Sequence, residues 1–149
     1  MLSSPHDVVG GVYPKKSDEL EFTACPEDGA EVDADGFLEM MYLPTGFLKI
    51  SRACIEQMVK AYKHLEYYEN CGGTGVELKV PCLFWLELMA DSNGKRRMMG
   101  EDVSFCKKWR DIGGNIYADT TIEFAHFGPK AWRAKYSEHI PRRVEAAAA

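Results

Sequence analysis

Apolar residues recur at helical spacing in two separate stretches of the chain. In the first stretch, five apolar positions fall on one side of a helix, namely Ile55, Met58, Val59, Tyr62 and Leu65. Ser51 stands just before this pattern and is a suitable N-cap, because its hydroxyl can accept a hydrogen bond from a backbone N–H. This stretch predicts the clearest helix of the chain.

The second helical pattern follows two adjacent carboxylates, Glu101 and Asp102. Its apolar positions are Val103, Cys106, Trp109 and Ile112, with Phe105 beside them. The pair Gly113-Gly114 offers a C-terminal stop. We expect Asp102 at or near the N-cap, where a carboxylate accepts backbone N–H bonds. On this pattern alone, Asp102 is either a cap with Glu101 as a solvated neighbour, or a functional acid.

Short apolar or alternating runs predict the strands. They span residues 8–13, 37–43, 47–50, 80–88, 115–118 and 122–125, with a weaker run at 20–24. The polar, glycine-bearing segment 66–75 predicts a mobile surface loop. Trp132 and Tyr136 stand four residues apart and predict a short C-terminal helix. These elements together predict the α/β fold class, with two main helices.

Composition and charge narrow the class of protein. The chain has 149 residues, 46% of them hydrophobic and 28% charged, which is typical of a globular domain with a buried core. We expect one domain over residues 1–145 and an alanine tail at 146–149. The net charge of −5 argues against a nucleic-acid partner. No apolar run is long enough to span a membrane, and the first residues lack the apolar core of a signal peptide.

The five cysteines form no CxxC pair and are odd in number. This pattern indicates free or buried thiols and not a disulfide framework or a zinc site. We therefore expect a reducing, cytoplasmic location. No cysteine stands in a recognisable nucleophile turn, so a cysteine hydrolase has little support.

Four sequence features admit two interpretations each. The triplet Asp33-Ala34-Asp35 is either a turn before a strand or a divalent-metal motif. The basic run Lys95-Arg96-Arg97 is either a solvated loop or a clamp for phosphates. His126 at a strand end is either structural or a ligand, and Trp85 either packs in the core or stacks on a sugar.

Several segments occur in one order that resembles a known enzyme family. They are Val9-Gly10-Gly11-Val12-Tyr13-Pro14-Lys15-Lys16, Leu43-Pro44-Thr45-Gly46-Phe47-Leu48-Lys49-Ile50-Ser51-Arg52, Gly100-Glu101-Asp102-Val103-Ser104-Phe105-Cys106, Ala118-Asp119 and Ala125-His126-Phe127-Gly128. The ordered set resembles the acceptor-side part of a GT-A-fold nucleotide-sugar glycosyltransferase of the family 2-like group. The resemblance covers nearly the whole chain up to about residue 129, and it implies a partial GT-A-like mixed sheet.

The resemblance also implies roles for individual residues. Asp102 takes the place of the general base, with Glu101 as its neighbour. Thr45 and Gly46 belong to the loop that a sugar approaches. Independently of the resemblance, the Trp85 side chain itself is a candidate stacking platform for the acceptor, with core packing as the alternative. His126 matches a histidine that joins the metal, Mn²⁺ or Mg²⁺, or the diphosphate. The implied partners are a nucleotide-sugar and a carbohydrate acceptor.

The family's nucleotide-binding strands and DxD motif precede the segments that match here. We therefore expect a glycosyltransferase-like fragment that is inactive alone. The alternative is a non-catalytic binding or self-assembling module. In either case, we expect the strand at 8–13 to expose an apolar edge for lack of sheet neighbours, and a homo-oligomer to cover that edge.

Overall fold

A computed structural model gives the architecture and describes residues 1–70, 72–73, 75–90 and 93–140. In chain order the elements are β1 Val8–Gly10, β2 Cys25–Pro26, β3 Phe37–Tyr42, β4 Leu48–Ile50, α1 Arg52–Ala61, β5 Glu66–Asn70, β6 Glu77–Pro81, β7 Glu87–Ala90, β8 Arg96–Met99, α2 Glu101–Asp111, β9 Ile116–Asp119, β10 Glu123–Phe127 and β11 Ala131–Lys135. The α/β prediction is confirmed at this level, because two helices accompany several sheets. The predicted tail at 146–149 and Cys71 lie outside the described residues.

The central sheet has five strands in the order β2-β3-β9-β1-β4. β1 and β9 run parallel, whereas the β1–β4, β3–β9 and β2–β3 pairs are antiparallel. The sheet is therefore mixed. Three further pairs, β5–β6, β7–β8 and β10–β11, form separate two-stranded sheets.

The core lies on one face of the central sheet. Alternate residues of the strands point to this face, among them Val8, Leu38 and Ile116, and all three are fully buried. Helices α1 and α2 cover them with buried apolar side chains, namely Cys54, Met58, Phe105, Cys106 and Trp109. The helices are thus held by the apolar stripes that the sequence shows.

The N-terminal segment lies against the opposite face of the sheet. Lys49 Nζ donates hydrogen bonds of 2.7 Å to the carbonyl oxygens of Ser4 and His6. The His6 ring stacks on Tyr117 with the ring centroids 3.8 Å apart.

Strand β1 has a paired strand on each side, and its valines are fully buried. The expectation of an exposed apolar edge at 8–13 was wrong, because β4 and β9 pair with this strand.

Both predicted helices are present, with different N-terminal caps. The Ser51 hydroxyl accepts a hydrogen bond of 3.0 Å from the Cys54 N–H, which confirms the predicted N-cap of α1. The N-cap of α2 is Gly100, so Asp102 is the second helical residue and not the cap itself. Gly113 follows α2 with a positive φ of 92°, a conformation that glycine adopts without strain.

Three element predictions were wrong. Residues 66–70, expected in a loop, form β5 and pair with β6. The predicted strand at 80–88 is two strands, because β6 ends at Pro81 and β7 begins at Glu87. The predicted C-terminal helix is strand β11, in which Trp132 pairs with His126 across the β10–β11 hairpin, followed by a single 3-10 turn at Tyr136–Glu138. The weak run at 20–24 contributes one isolated bridge, Phe22 to Pro14, just before β2.

Candidate functional site

Helix α2 carries the predicted acidic pair to the end of the core where the glycine turn lies. Its later residues run beside the end of β3: Arg110 Nη1 donates to the Met40 carbonyl at 3.4 Å, and Cys106 Sγ lies 3.8 Å from the Leu43 carbonyl oxygen. Asp102 is four residues further toward the N-terminus of the helix, about 6 Å along the axis. The charge of Asp102 acts on Tyr42, the residue before Leu43 at the end of β3.

Asp102 is half-buried, whereas Glu101 is exposed. The Asp102 Oδ1 atom accepts a hydrogen bond of 2.8 Å from the Val103 N–H, which leaves Oδ2 as the oxygen that could take a proton. Both carboxylates lie in the first turn of α2, where the helix dipole favours negative charge.

The pKa of Tyr42 responds to burial and to several charges, among them that of Asp102. Burial raises the pKa of Tyr42, and interactions with Cys25 and the negative charge of Asp102 raise it further, while the positive charge of Lys15 opposes them. Asp102 and Lys15 thus act on the same phenol. The Tyr42 hydroxyl stays protonated at neutral pH and can donate a hydrogen bond.

The glycine turn packs against the loop that follows β1. A Cβ on Gly46 would lie 2.6 Å from the Tyr13 hydroxyl oxygen, so the tyrosine occupies the space that any larger residue would need. The Gly11 N–H donates a 2.9 Å hydrogen bond to the Phe47 carbonyl and holds the turn against the end of β1. Thr45 and Gly46 themselves are exposed.

His126 contacts the same loop from the β10–β11 hairpin. Its Nδ1 lies 3.0 Å from the Pro14 carbonyl oxygen. A carbonyl can only accept, so Nδ1 carries the proton and the neutral ring has its lone pair on Nε2. The His126 ring also meets Tyr13 edge-on, with centroids 5.3 Å apart. Tyr13 therefore touches both Gly46 and His126, two residues predicted for the site.

Trp85 lies apart from this cluster, beside the middle of α2. The Lys108 Nζ atom stands 3.5 Å from its ring centroid in a cation–π contact. Lys108 is buried and also donates a 2.7 Å hydrogen bond to Glu87 Oε2. That hydrogen bond is the main reason why the pKa of the Glu87 carboxyl falls below its ordinary value. One face of the predicted sugar platform is thus taken by a lysine of the same chain.

The predicted metal has a single candidate ligand here. In the ranges that the structure describes, no three His, Cys, Asp or Glu side chains come together as a metal-binding group. Asp33 caps a turn instead, because its Oδ1 accepts hydrogen bonds from the Asp35 and Phe37 N–H groups at 3.0 and 2.8 Å. The turn interpretation of the Asp33-Ala34-Asp35 triplet accounts for these contacts.

Other basic and concave features lie elsewhere. Arg96 and Arg97 stand on strand β8. Two cavities, of about 890 and 380 Å³, are lined by other parts of the chain and include no predicted site residue.

Tyr13, Lys15 and Tyr42 were missed as site residues. Their position in the chain was the sequence feature that could have identified them. Tyr13 and Lys15 lie in the loop after β1, and Tyr42 ends β3 just before the glycine turn.

Comparison of the chain with protein-family models, curated proteins and solved structures finds no match. Among the described residues, no helix has the length and apolar character needed to cross a membrane.

Proposed function

We propose that this chain is the acceptor-side part of a GT-A-like glycosyltransferase that moves a sugar from a nucleotide-sugar to an acceptor hydroxyl. The observation that carries the proposal is the neighbourhood of three predicted groups. The charge of Asp102 acts on Tyr42, which ends β3 shortly before the glycine turn, and Tyr13 contacts both Gly46 and His126. Reacting groups must converge in this way for group transfer.

In the proposed reaction, Asp102 acts as general base. Its Oδ2 takes the proton of the acceptor hydroxyl as the hydroxyl oxygen bonds to the anomeric carbon. The bond between that carbon and the diphosphate oxygen breaks, and the nucleoside diphosphate leaves with the electron pair. Attack by the acceptor from the opposite side would invert the anomeric configuration.

The surrounding charges suit these steps. The N-terminus of α2 favours negative charge beside Asp102. Exclusion of water by a bound sugar would strengthen the Asp102 carboxylate as a proton acceptor. The charges of Asp102 and Lys15 both act on Tyr42, whose protonated hydroxyl could orient polar atoms of a substrate.

The residues present do not make a complete site for the predicted Mn²⁺ or Mg²⁺. His126 offers one nitrogen ligand through Nε2, and no described cluster supplies the others. Such ions are usually held by several ligands. No step of the mechanism is therefore routed through a metal, and a metal at His126 would need ligands from a substrate or from another polypeptide.

A non-catalytic binding or self-assembling module is the second candidate. The surface of three two-stranded hairpins with exposed apolar side chains favours it. For both candidate functions, we propose a reducing, cytoplasmic compartment, because the four cysteines within the described ranges are free thiols.

Donor binding and a matched pair of variants test the proposal. UDP-, GDP- and dTDP-sugars are titrated by calorimetry with Mn²⁺ present, and turnover is followed as release of the nucleoside diphosphate. If a donor binds and is turned over, Asp102→Asn should reduce turnover by a factor of about 100 or more while donor binding stays intact. Asp111→Asn, at the other end of the same helix, should match the wild type. If no donor binds at millimolar concentration, the chain alone is not a transferase and the module remains.

A further inference from the structure

The β7–β8 hairpin presents an apolar face to solvent. Leu88 and Met98 lie directly opposite each other and are 53% and 61% exposed. Leu86, two residues before Leu88, is 61% exposed. The other face of the hairpin turns inward, since Glu87 is bonded to Ser104 and Lys108 of α2. We name Leu86, Leu88 and Met98 the hairpin patch.

The β5–β6 hairpin projects from the core with apolar groups on both of its faces. Tyr68, opposite Lys79 on one face, is 69% exposed, and Leu78 on the other face is 49% exposed. A two-stranded hairpin alone is only marginally stable in water. Because neither face is covered by the described part of the chain, an external surface would stabilise this hairpin.

The two hairpins carry opposite charge. Residues 66–81 hold three carboxylates and one lysine, whereas residues 87–99 hold the consecutive Lys95-Arg96-Arg97 and two acids. An acidic hairpin and a basic one attract each other at short range in water. Each hairpin is therefore complementary to the other in charge, and both expose apolar area.

We propose that a second copy of this chain covers these surfaces. The β5–β6 hairpin of each copy packs on the hairpin patch of the other copy, so that one two-fold axis creates both contacts. A two-fold dimer of this kind is closed, because each copy both gives and receives a hairpin. Burial of apolar area supplies affinity, and the opposite charges set the orientation.

A second copy fits better than a membrane surface. An anionic lipid surface would attract the basic β7–β8 hairpin but repel the acidic β5–β6 hairpin. A second copy satisfies both hairpins at once. This inference is independent of sugar transfer, and its test has no catalytic readout.

Sedimentation velocity and light scattering over a concentration series test the dimer. The wild type should dimerise, and added salt should weaken the dimer. Leu88→Glu should raise the dissociation constant at least about tenfold by placing a charge in the patch. The matched control is Leu20→Glu, because Leu20 is similarly exposed, at 50%, and lies outside both hairpins. Melting curves of all variants confirm that they are folded.

Charge reversal gives the sharper test. Arg96→Glu and Glu77→Lys should each weaken the dimer, and the double variant R96E/E77K should recover part of the loss, because the attraction is restored with its signs exchanged. A wild type that stays monomeric up to millimolar concentration overturns the proposal. So does a dimer that L88E leaves unchanged, or a monomer that binds anionic phosphatidylserine vesicles through Arg96.

Discussion

Single hydrogen bonds decide what individual side chains of the candidate site can do. The Pro14 carbonyl accepts the His126 Nδ1 proton and so directs the lone pair of the neutral ring to Nε2. A backbone carbonyl on the second nitrogen is the usual arrangement for a histidine that binds a metal. The same hydrogen bond also suits a His126 whose Nε2 accepts a hydrogen bond from a substrate hydroxyl, and an experiment separates the two roles.

Replacement of His126 makes that distinction. If Nε2 joins a metal held between the chain and a nucleotide-sugar, His126→Ala should weaken donor binding with Mn²⁺ at least about tenfold and leave metal-free binding unchanged. Calorimetric titrations with and without Mn²⁺ measure both values. His64→Ala is the control, since His64 is exposed and its ring meets the ring of Tyr62, outside the candidate site. Equal losses with and without Mn²⁺ would contradict a metal role.

Burial also sets the reactivity of two thiols. Burial raises the pKa of Cys54 to about 12 and that of Cys106 to about 11. The thiolate is the reactive form, so at pH 8 both residues should resist iodoacetamide in the folded protein and react in denaturant. The half-exposed Cys25 and Cys82 serve as internal references in the same mass spectra. Labelling of Cys54 as fast as Cys25 would mean that the core opens readily.

The candidate site could be predicted in part at this scale. Gly46 and His126 were predicted from the resemblance to the glycosyltransferase family, and the structure joins them through Tyr13. Tyr13 and Tyr42 could not be identified from the sequence, because a tyrosine near the end of a strand usually only packs against the core. Their role at the site depends on neighbours that the sequence does not show. Asp102 lies near the N-cap as expected, in the first turn of α2, and Gly100 is the cap itself.

At the scale of elements, the strength of the hydrophobic pattern decides what can be predicted. α1 and α2 bury one stripe against the sheet, so their sequences keep helical spacing, and both were predicted. β5 has both faces near solvent, so Tyr67 and Tyr68 show no alternation and the segment resembled a loop. Trp132 and Tyr136 have helical spacing, but cross-strand pairing with β10 determines the structure there.

The N-cap of α1 gives a direct test of an element boundary. Ser51 accepts a hydrogen bond from the Cys54 N–H and donates one to Asp7, so it fixes the helix start and ties it to the segment before β1. Ser51→Ala should lower the free energy of unfolding by about 1–2 kcal/mol. Urea denaturation followed by circular dichroism measures the change. Ser3→Ala, at an exposed position, should change it by less than about 0.5 kcal/mol.

At the scale of the whole molecule, residues distant in sequence complete the central sheet. β1 gains β9 as a parallel neighbour from more than a hundred residues away. No local pattern reports this pairing, and the edge expected at 8–13 followed from the family resemblance, in which the neighbouring strands precede the matching segments. The strand order and the cover provided by residues 1–7 are likewise tertiary features that periodicity does not encode.

The Glu87–Lys108 pair connects the outlying β7–β8 hairpin to α2, and it should make the stability of the whole molecule sensitive to acid. The hydrogen bond from Lys108 lowers the pKa of Glu87 in the folded state below its ordinary value of 4.5. A lowered folded pKa means that the unfolded chain binds the proton more tightly. The stabilisation is therefore complete above pH 4.5 and is lost as the pH falls through the lowered value.

Glu87→Gln should remove this part of the acid dependence, leaving a smaller loss of stability between pH 5 and acid, whereas the exposed Glu123→Gln should keep the wild-type slope. Urea midpoints measured at successive pH values give the three slopes, and equal slopes for E87Q and the wild type would show that this pair does not couple the hairpin to the core.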